Sequence, residues 1–146
     1  ASCPNRLIDM GVQPFLIASS LIGILAQRLI QVLCKECKIP HTPTKEELTL
    51  AGIVQVPKDV VFYKAQGCPK CNFRGYAGRT TVCELLMISD EIRSLILLKS
   101  DSNLIKRKAM SESMRTLRQD AVRKAMTGIT SIEEVVRAVN DEEFQE

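Results

Sequence analysis

Apolar and polar positions alternate along this chain with two periods, and the changes between them mark its elements. Residues Asn5–Met10 read as a short helical turn stopped at Gly11. Pro14 then opens a second helix, PFLIASSLIG, at a position where its missing N–H costs little. The run Ile24–Leu33 (ILAQRLIQVL) fits either a continued helix or a buried strand, and length alone favours helix. Pro40, Pro43 and Pro57 with neighbouring threonines interrupt regular structure, although Thr44 can cap a helix Lys45–Ala51 with Glu47 at its third position. Val60–Ala65 predicts a strand, Gly75–Arg79 a glycine-punctuated turn, and Thr80–Met87 (TTVCELLM) a strand with a β-branched start.

From there the period is helical. Ser89 or Asp90 caps a helix carrying Ile92, Leu95, Ile96 and Lys99, and Asp101 or Ser102 opens another that runs to about Met110. Thr116 caps Leu117–Met126, which stops at Gly128. Thr130 or Ser131 caps the last helix, with Glu133 and Glu134 favourably placed in its first turn. The acidic stretch Asn140–Glu146 is expected to fray. The expected fold class is α+β: short strands with a cysteine-bearing insert, followed by a small helical bundle. Segment boundaries fall at 1–33, 34–71, 72–88 and 89–146.

Inside that pattern stand two tight cysteine pairs, Cys34–Cys37 and Cys68–Cys71, each of the C-x-x-C type. Such a knuckle points both sulfurs at one ion, and two knuckles close a tetrahedral zinc sphere. A closed sphere leaves no position for water or substrate, so the predicted Zn²⁺ is structural. The competing reading is a pair of redox dithiols, which needs a pair opening a helix after a strand; Gly67 and Pro69 favour a turn. Residues 34–71 are too few to bury a core of their own, so the ion serves as their core. Zinc-finger peptides gain on the order of 10–16 kcal/mol of apparent binding free energy in this way.

Composition narrows the field further. The 146 residues suit one ordinary domain, and a core of this composition is mostly aliphatic, with four Phe, two Tyr and no Trp. Four thiolates and a dication would lower the formal +3 to about +1, which weakens any argument for a nucleic-acid partner. No apolar run reaches the roughly 18 residues a membrane span needs, and the first thirty residues lack the pattern of a secretory signal. Paired cysteines without such a signal fit a reducing cytosol.

Three segments, in order, carry a resemblance. RLIDMGVQPFLIASSLIGILAQRLIQVLCKEC, GCPKCNFRGYAGRTTVCELL and MRTLRQDAVRKAMTGITSIEEVVRAV resemble the C-terminal region of type II secretion and type IV pilus assembly ATPases, nearest the general secretion pathway protein E type. The likeness runs from Arg6 to about Val139. Its most specific elements are AQRL (Ala26–Leu29), the cysteine pairs, the G-x-x-G-R-T turn and GITS-x-EE-V, while Ala1–Asn5 match only loosely. The resemblance favours a strand at Ile24–Leu33. It implies a RecA-like, hexameric motor whose nucleotide-binding core would include residues 1–33 and the returning strand in 72–88. It also implies a cytoplasmic location, with contact to an inner-membrane secretion platform made through partners. ATP and Mg²⁺ would belong to the full-length protein. No G-x-x-x-x-G-K-[ST] phosphate loop occurs among the 146 residues, so this chain reads as a fragment that is itself inactive.

Within the resemblance, Arg79 and Arg28 are the residues expected at a nucleotide or subunit interface. Arg79 could clamp phosphate or a neighbouring subunit's carboxylate, or close a turn within the chain. Arg28 could face such an interface, or bury its stem and wet its head. Lys70, Arg74 and Arg79 read as a solvated basic rim, and the Lys106–Lys108 and Arg115–Lys124 stretches as solvated helical faces. His41 is surplus to four thiolates, Cys83 reads as a small core residue, and Cys3 as an incidental thiol. The alternative function is a free-standing zinc-ribbon nucleic-acid-binding module, supported by Phe73 and Tyr76 beside Arg74.

Overall fold

The computed structural model of the protein describes residues 2–143, with side chains through residue 138. Fraying is expected at Asn140–Glu146, but the backbone of Asn140–Glu143 is helical, and residues 144–146 lie outside the described residues. Contacts divide the chain into two compact units, Ala1–Ala26 with Cys83–Thr116 and Gln27–Val82 with Leu117–Glu146.

A two-stranded ribbon, β1 (Gly23–Leu33) and β4 (Tyr76–Met87), contributes to both. The Ile88 N–H donates to the Ile22 carbonyl at 3.0 Å near one end, and the Cys34 N–H to the Gly75 carbonyl at 2.9 Å near the other, so the strands are antiparallel. Along β1 exposed and half-buried residues alternate from Gly23 to Leu29 before Ile30 is buried completely. That period of two is a strand's, so Ile24–Leu33 is strand and not a continued helix.

In the first unit, α1 (Cys3–Asp9), α2 (Pro14–Ser20), α4 (Asp90–Leu97) and α5 (Ser102–Ser111) bury Ile17, Ile92, Ile96 and Ile105 with Leu86 and Ile88. Each such side chain contributes roughly 1.5–3 kcal/mol by leaving water. Ser89 Oγ caps α4 by accepting the Ile92 N–H at 3.2 Å, and Asp101 caps α5 through the Asn103 N–H at 2.7 Å. Asn5 Nδ2 donates to the Ser100 carbonyl at 3.2 Å, and Arg93 to the Ala18 carbonyl at the end of α2.

The second unit holds α3 (Lys45–Ala51), α6 (Leu117–Met126), α7 (Ile132–Glu143) and a small antiparallel pair, β2 (Ile39–His41) with β3 (Phe62–Lys64). His41 lies opposite Phe62, and Pro40 opposite Tyr63. Three features differ from expectation. β2 forms in the Pro/Thr-rich stretch because a two-stranded pair has only edge strands, where Pro is tolerated. β4 begins at Tyr76, so most of the expected Gly75–Arg79 turn is strand. The 34–71 segment also buries apolar residues: Ala51, Ile53 and Phe62 pack with Ile30, Val82, Ala121, Ala125, Ile132 and Val135. Short in itself, the segment finds its core against α6 and α7.

Candidate metal centre

β1 delivers the first knuckle. Immediately after Leu33 the chain turns: the N–H groups of Cys37 and Lys38 donate to the Cys34 carbonyl at 3.3 and 3.0 Å, swinging Cys37 back beside Cys34. The second knuckle is a single 3₁₀ turn, Pro69–Cys71, opened by Pro69 where no N–H is required. Cys71 and Phe73 N–H both donate to the Cys68 carbonyl, at 3.1 and 2.9 Å. Asn72 and Phe73 then adopt left-handed φ values of 50° and 59°, which end the turn and lead the chain into β4.

The four sulfurs converge. Cys34 and Cys68 Sγ lie 3.9 Å apart, Cys37 and Cys71 3.9 Å, Cys68 and Cys71 3.8 Å, and all four lie within 4.8 Å of one another. A tetrahedron with Zn–S bonds of about 2.3 Å has edges of about 3.8 Å, so the sulfurs already sit near the corners a zinc ion requires. A disulfide needs about 2.05 Å, and all four thiols are free. Cys34, Cys37 and Cys71 are buried and Cys68 is half-buried. Four sulfur ligands would leave no open position, which suits a structural ion and not a catalytic one.

Two backbone donors are aimed at one sulfur: the Cys68 and Gly75 N–H groups each lie 3.2 Å from Cys71 Sγ. Gly75 makes this approach at φ +75°, where a Cβ would fall 2.4 Å from Ala65 Cβ, so only glycine fits. Burial pushes the Cys37 thiol up to about 12, against the lowering effect of the Gly67 N–H. Burial also acts upward on Cys71, but its Cys68 and Gly75 N–H donors outweigh it and bring that thiol down to about 6. The N–H donors thus favour the thiolate at Cys71, whereas burial favours the protonated thiol at Cys37, whose proton a cation would have to displace. Metal uptake consequently releases protons, and affinity falls as pH falls.

Outside the cluster, Lys70 Nζ meets Glu36 at 3.0 Å, which holds the Lys70 ammonium above its ordinary range; both side chains are exposed and the pair contributes little. His41 turns away from the sulfurs, its Nε2 3.1 Å from both Glu47 carboxylate oxygens. Cys83, on β4, and Cys3, in α1, are half-buried and stand outside the four-sulfur group. Arg79 is exposed on β4. Arg28 is half-buried, and its Nη1 donates to the Ala138 carbonyl of α7 at 2.9 Å. Sequence reasoning passes over Lys38, whose Nζ donates to the Gly128 carbonyl at 2.8 Å. Nothing local marks that contact, because its partner lies ninety residues along the chain. Among the described residues, no helix is long and apolar enough to cross a membrane.

The sequence aligns with known proteins over almost all its length. The family model described as type II/IV secretion system protein matches residues 1–137. The type II secretion system ATPase E of Vibrio cholerae is 42% identical over 137 residues, covering 94% of this chain and 27% of that protein. Type II secretion system protein E of Pseudomonas aeruginosa is 41% identical over 138 residues, with the same coverages of 94% and 27%. The type IV pilus assembly ATPase PilB of Thermus thermophilus is 41% identical over 137 residues, 93% of this chain and 15% of that protein. The chain thus spans about a quarter, or less, of the length of these relatives. With this match across both cysteine knuckles and the helices that follow, the chain belongs to the type II/IV secretion system protein family.

Proposed function

We propose that this chain is a zinc-stabilised structural and contact portion of a traffic ATPase that powers type II secretion. In this reading the whole protein is a RecA-like hexamer at the cytoplasmic face of the inner membrane, driving pseudopilus assembly. The observation that supports it most directly is the 42% identity, over 94% of the chain, to a protein named as a type II secretion system ATPase. ATP and Mg²⁺ are held elsewhere in the whole protein, since no G-x-x-x-x-G-K-[ST] loop lies in these 146 residues. The chain's own contribution is mechanical. Cys34, Cys37, Cys68 and Cys71 hold Zn²⁺, which keeps the knuckles shaped for contact with a secretion-platform partner. Arg79 is an exposed cation on a rigid strand, suited to phosphate or to a neighbouring subunit's carboxylate. Arg28, bound to α7, would act at such an interface by fixing that helix.

A chimera tests this reading. The corresponding segment of the Vibrio cholerae ATPase is replaced by this chain, and export of a type II substrate is measured in cells lacking their own ATPase. Restored export, lost again with Cys68→Ser, is expected; a stable, zinc-loaded chimera that exports nothing overturns the proposal. The zinc-ribbon alternative draws on Phe73, 74% exposed beside Arg74, and it predicts salt-dependent binding of single-stranded RNA by the purified chain.

A further inference from the structure

Three stretches that flank the cysteines all reach one turn, Gly128–Ser131, between α6 and α7. Leu33, immediately before Cys34, donates its N–H to the Ile129 carbonyl at 2.9 Å. Lys38, immediately after Cys37, donates from Nζ to the Gly128 carbonyl at 2.8 Å and stands 4.3 Å from the centre of the Tyr63 ring. Tyr76, next to the Gly75 whose N–H meets Cys71 Sγ, shares a 2.7 Å hydrogen bond between its hydroxyl and Ser131 Oγ. The turn is closely packed. Gly128 has φ +69°, and a Cβ there would lie 2.9 Å from the Tyr63 ring and 3.1 Å from Lys38 Nζ. Thr130 and Ser131 are buried.

From this turn the contacts continue along β1. Thr130 Oγ1 donates to the Gln31 carbonyl at 2.7 Å, and the Gln31 N–H donates to buried Glu134 on α7 at 2.8 Å. Farther along the helix, Ala138 accepts from Arg28. The edge of β1 is therefore satisfied by the turn and by α7, and the turn is gripped by residues adjoining the metal ligands.

We propose that Gly128–Ser131 is a clasp that couples occupancy of the cysteine site to the seating of α7 on β1, with Lys38 as its positioning residue. This inference rests on the zinc reading above. With the four sulfurs drawn to one ion, Leu33, Lys38 and Tyr76 are held where they grip the turn. When the knuckles relax, each grip must be ordered separately at its own entropic cost, and the turn loosens. Coupling of this kind is reciprocal: whatever loosens the clasp weakens the metal by the same factor.

Reciprocity supplies the test. Zinc affinity is measured by competition with a chromophoric chelator for the wild-type chain, Gly128→Ala, Lys38→Met and a control, Gly11→Ala. Gly11 shares the left-handed geometry, φ +90°, but a Cβ there meets nothing within 4 Å and it lies in the other unit. Gly128→Ala and Lys38→Met are expected to weaken zinc by about tenfold, with Gly11→Ala within twofold of wild type. Lys38→Met keeps the packed stem, so it decides the matter where Gly128→Ala fails to fold. Hydrogen exchange on the wild type is expected to show that chelation deprotects amides 129–135 about tenfold while those of 92–97 stay protected. Unchanged affinity in Lys38→Met, equal weakening in Gly11→Ala, or unchanged protection at 129–135 overturns the clasp. A wild-type chain that takes up no zinc overturns the metal centre, and the clasp with it.

Discussion

The two units solve the same problem by different means. The first buries a compact aliphatic cluster around Ile92, Ile96 and Ile105, and its helices α4 and α5 are capped by residues one position outside them. The second has an apolar cluster too, and side-chain hydrogen bonds spanning 99 to 110 residues tie β1 to the Gly128–Ser131 turn and to α7. In the first, Asn5 to Ser100 and Arg93 to Ala18 close spans of 95 and 75 residues. Long closures carry an entropic cost in both units, but the four-cysteine cluster lies in the second, where a bound ion would offset part of it. The first unit is expected to be indifferent to metal and the second to be loosened by its loss, most of all around the knuckles.

The strongest way to break that contrast is to deny the cysteine cluster its proposed ion. Loss of zinc from a four-thiolate site withdraws on the order of 10–16 kcal/mol of apparent binding free energy. Chelation, or Cys68→Ser, is therefore expected to abolish amide protection around both knuckles while α4 keeps its own. Simultaneous loss of protection in both units would show that they fold as one.

Core truncations come next. Phe62 is 2% exposed at the centre of the second cluster, and Phe62→Ala is expected to cost about 3–5 kcal/mol there. Ile96, 0% exposed, carries the same weight in the first unit, where Ile96→Ala is expected to cost about 2–5 kcal/mol. The chain's two tyrosines, Tyr63 and Tyr76, both lie in the second unit and there is no tryptophan, so intrinsic fluorescence reports that unit alone. In denaturant, Phe62→Ala moves the fluorescence transition, whereas Ile96→Ala moves only the circular dichroism. A fluorescence shift in Ile96→Ala would deny the units their independence.

How much of this is legible in the sequence follows the range of each signal. The limits of α6, Leu117–Met126, and the Thr44–Glu47 capping box are readable because start, stop and cap signals act within a few residues. The four-cysteine cluster is readable for the same reason, each pair being set by one turn. At Ile24–Leu33 local pattern does not decide between helix and strand, and pairing with β4 does. β2 is hidden because Pro40 argues against a strand until the pair proves to have only edges. Packing of the 34–71 segment on α6 and α7, Arg28 on Ala138 and Lys38 on Gly128 leave no local mark; they exist only once distant segments meet.

The smallest effect probes a purely local device inside the second unit. Thr44 Oγ1 accepts the Glu47 N–H at 3.2 Å, while the Glu47 carboxylate accepts the Thr44 N–H at 2.7 Å and faces His41 Nε2. The Thr44 N–H first, and His41 after it, hold the Glu47 carboxyl below its ordinary range. A depressed carboxyl stabilises the fold above its unfolded pKa, about 4.3, and that contribution fades as pH falls through the lower folded value. Glu47→Gln is thus expected to cost about 1 kcal/mol or less at pH 7. The gap to wild type should narrow once pH drops below about 4. Acid also strips zinc, so the gap is followed with excess Zn²⁺ down to the lowest pH at which both proteins keep the ion. Over that range the difference between their denaturation midpoints isolates the box. A gap that stays constant through that range would mean that the carboxylate's charge adds nothing to the cap. A gap that is large at neutral pH would mean that this short helix matters to the second unit far more than its local hydrogen bonds convey.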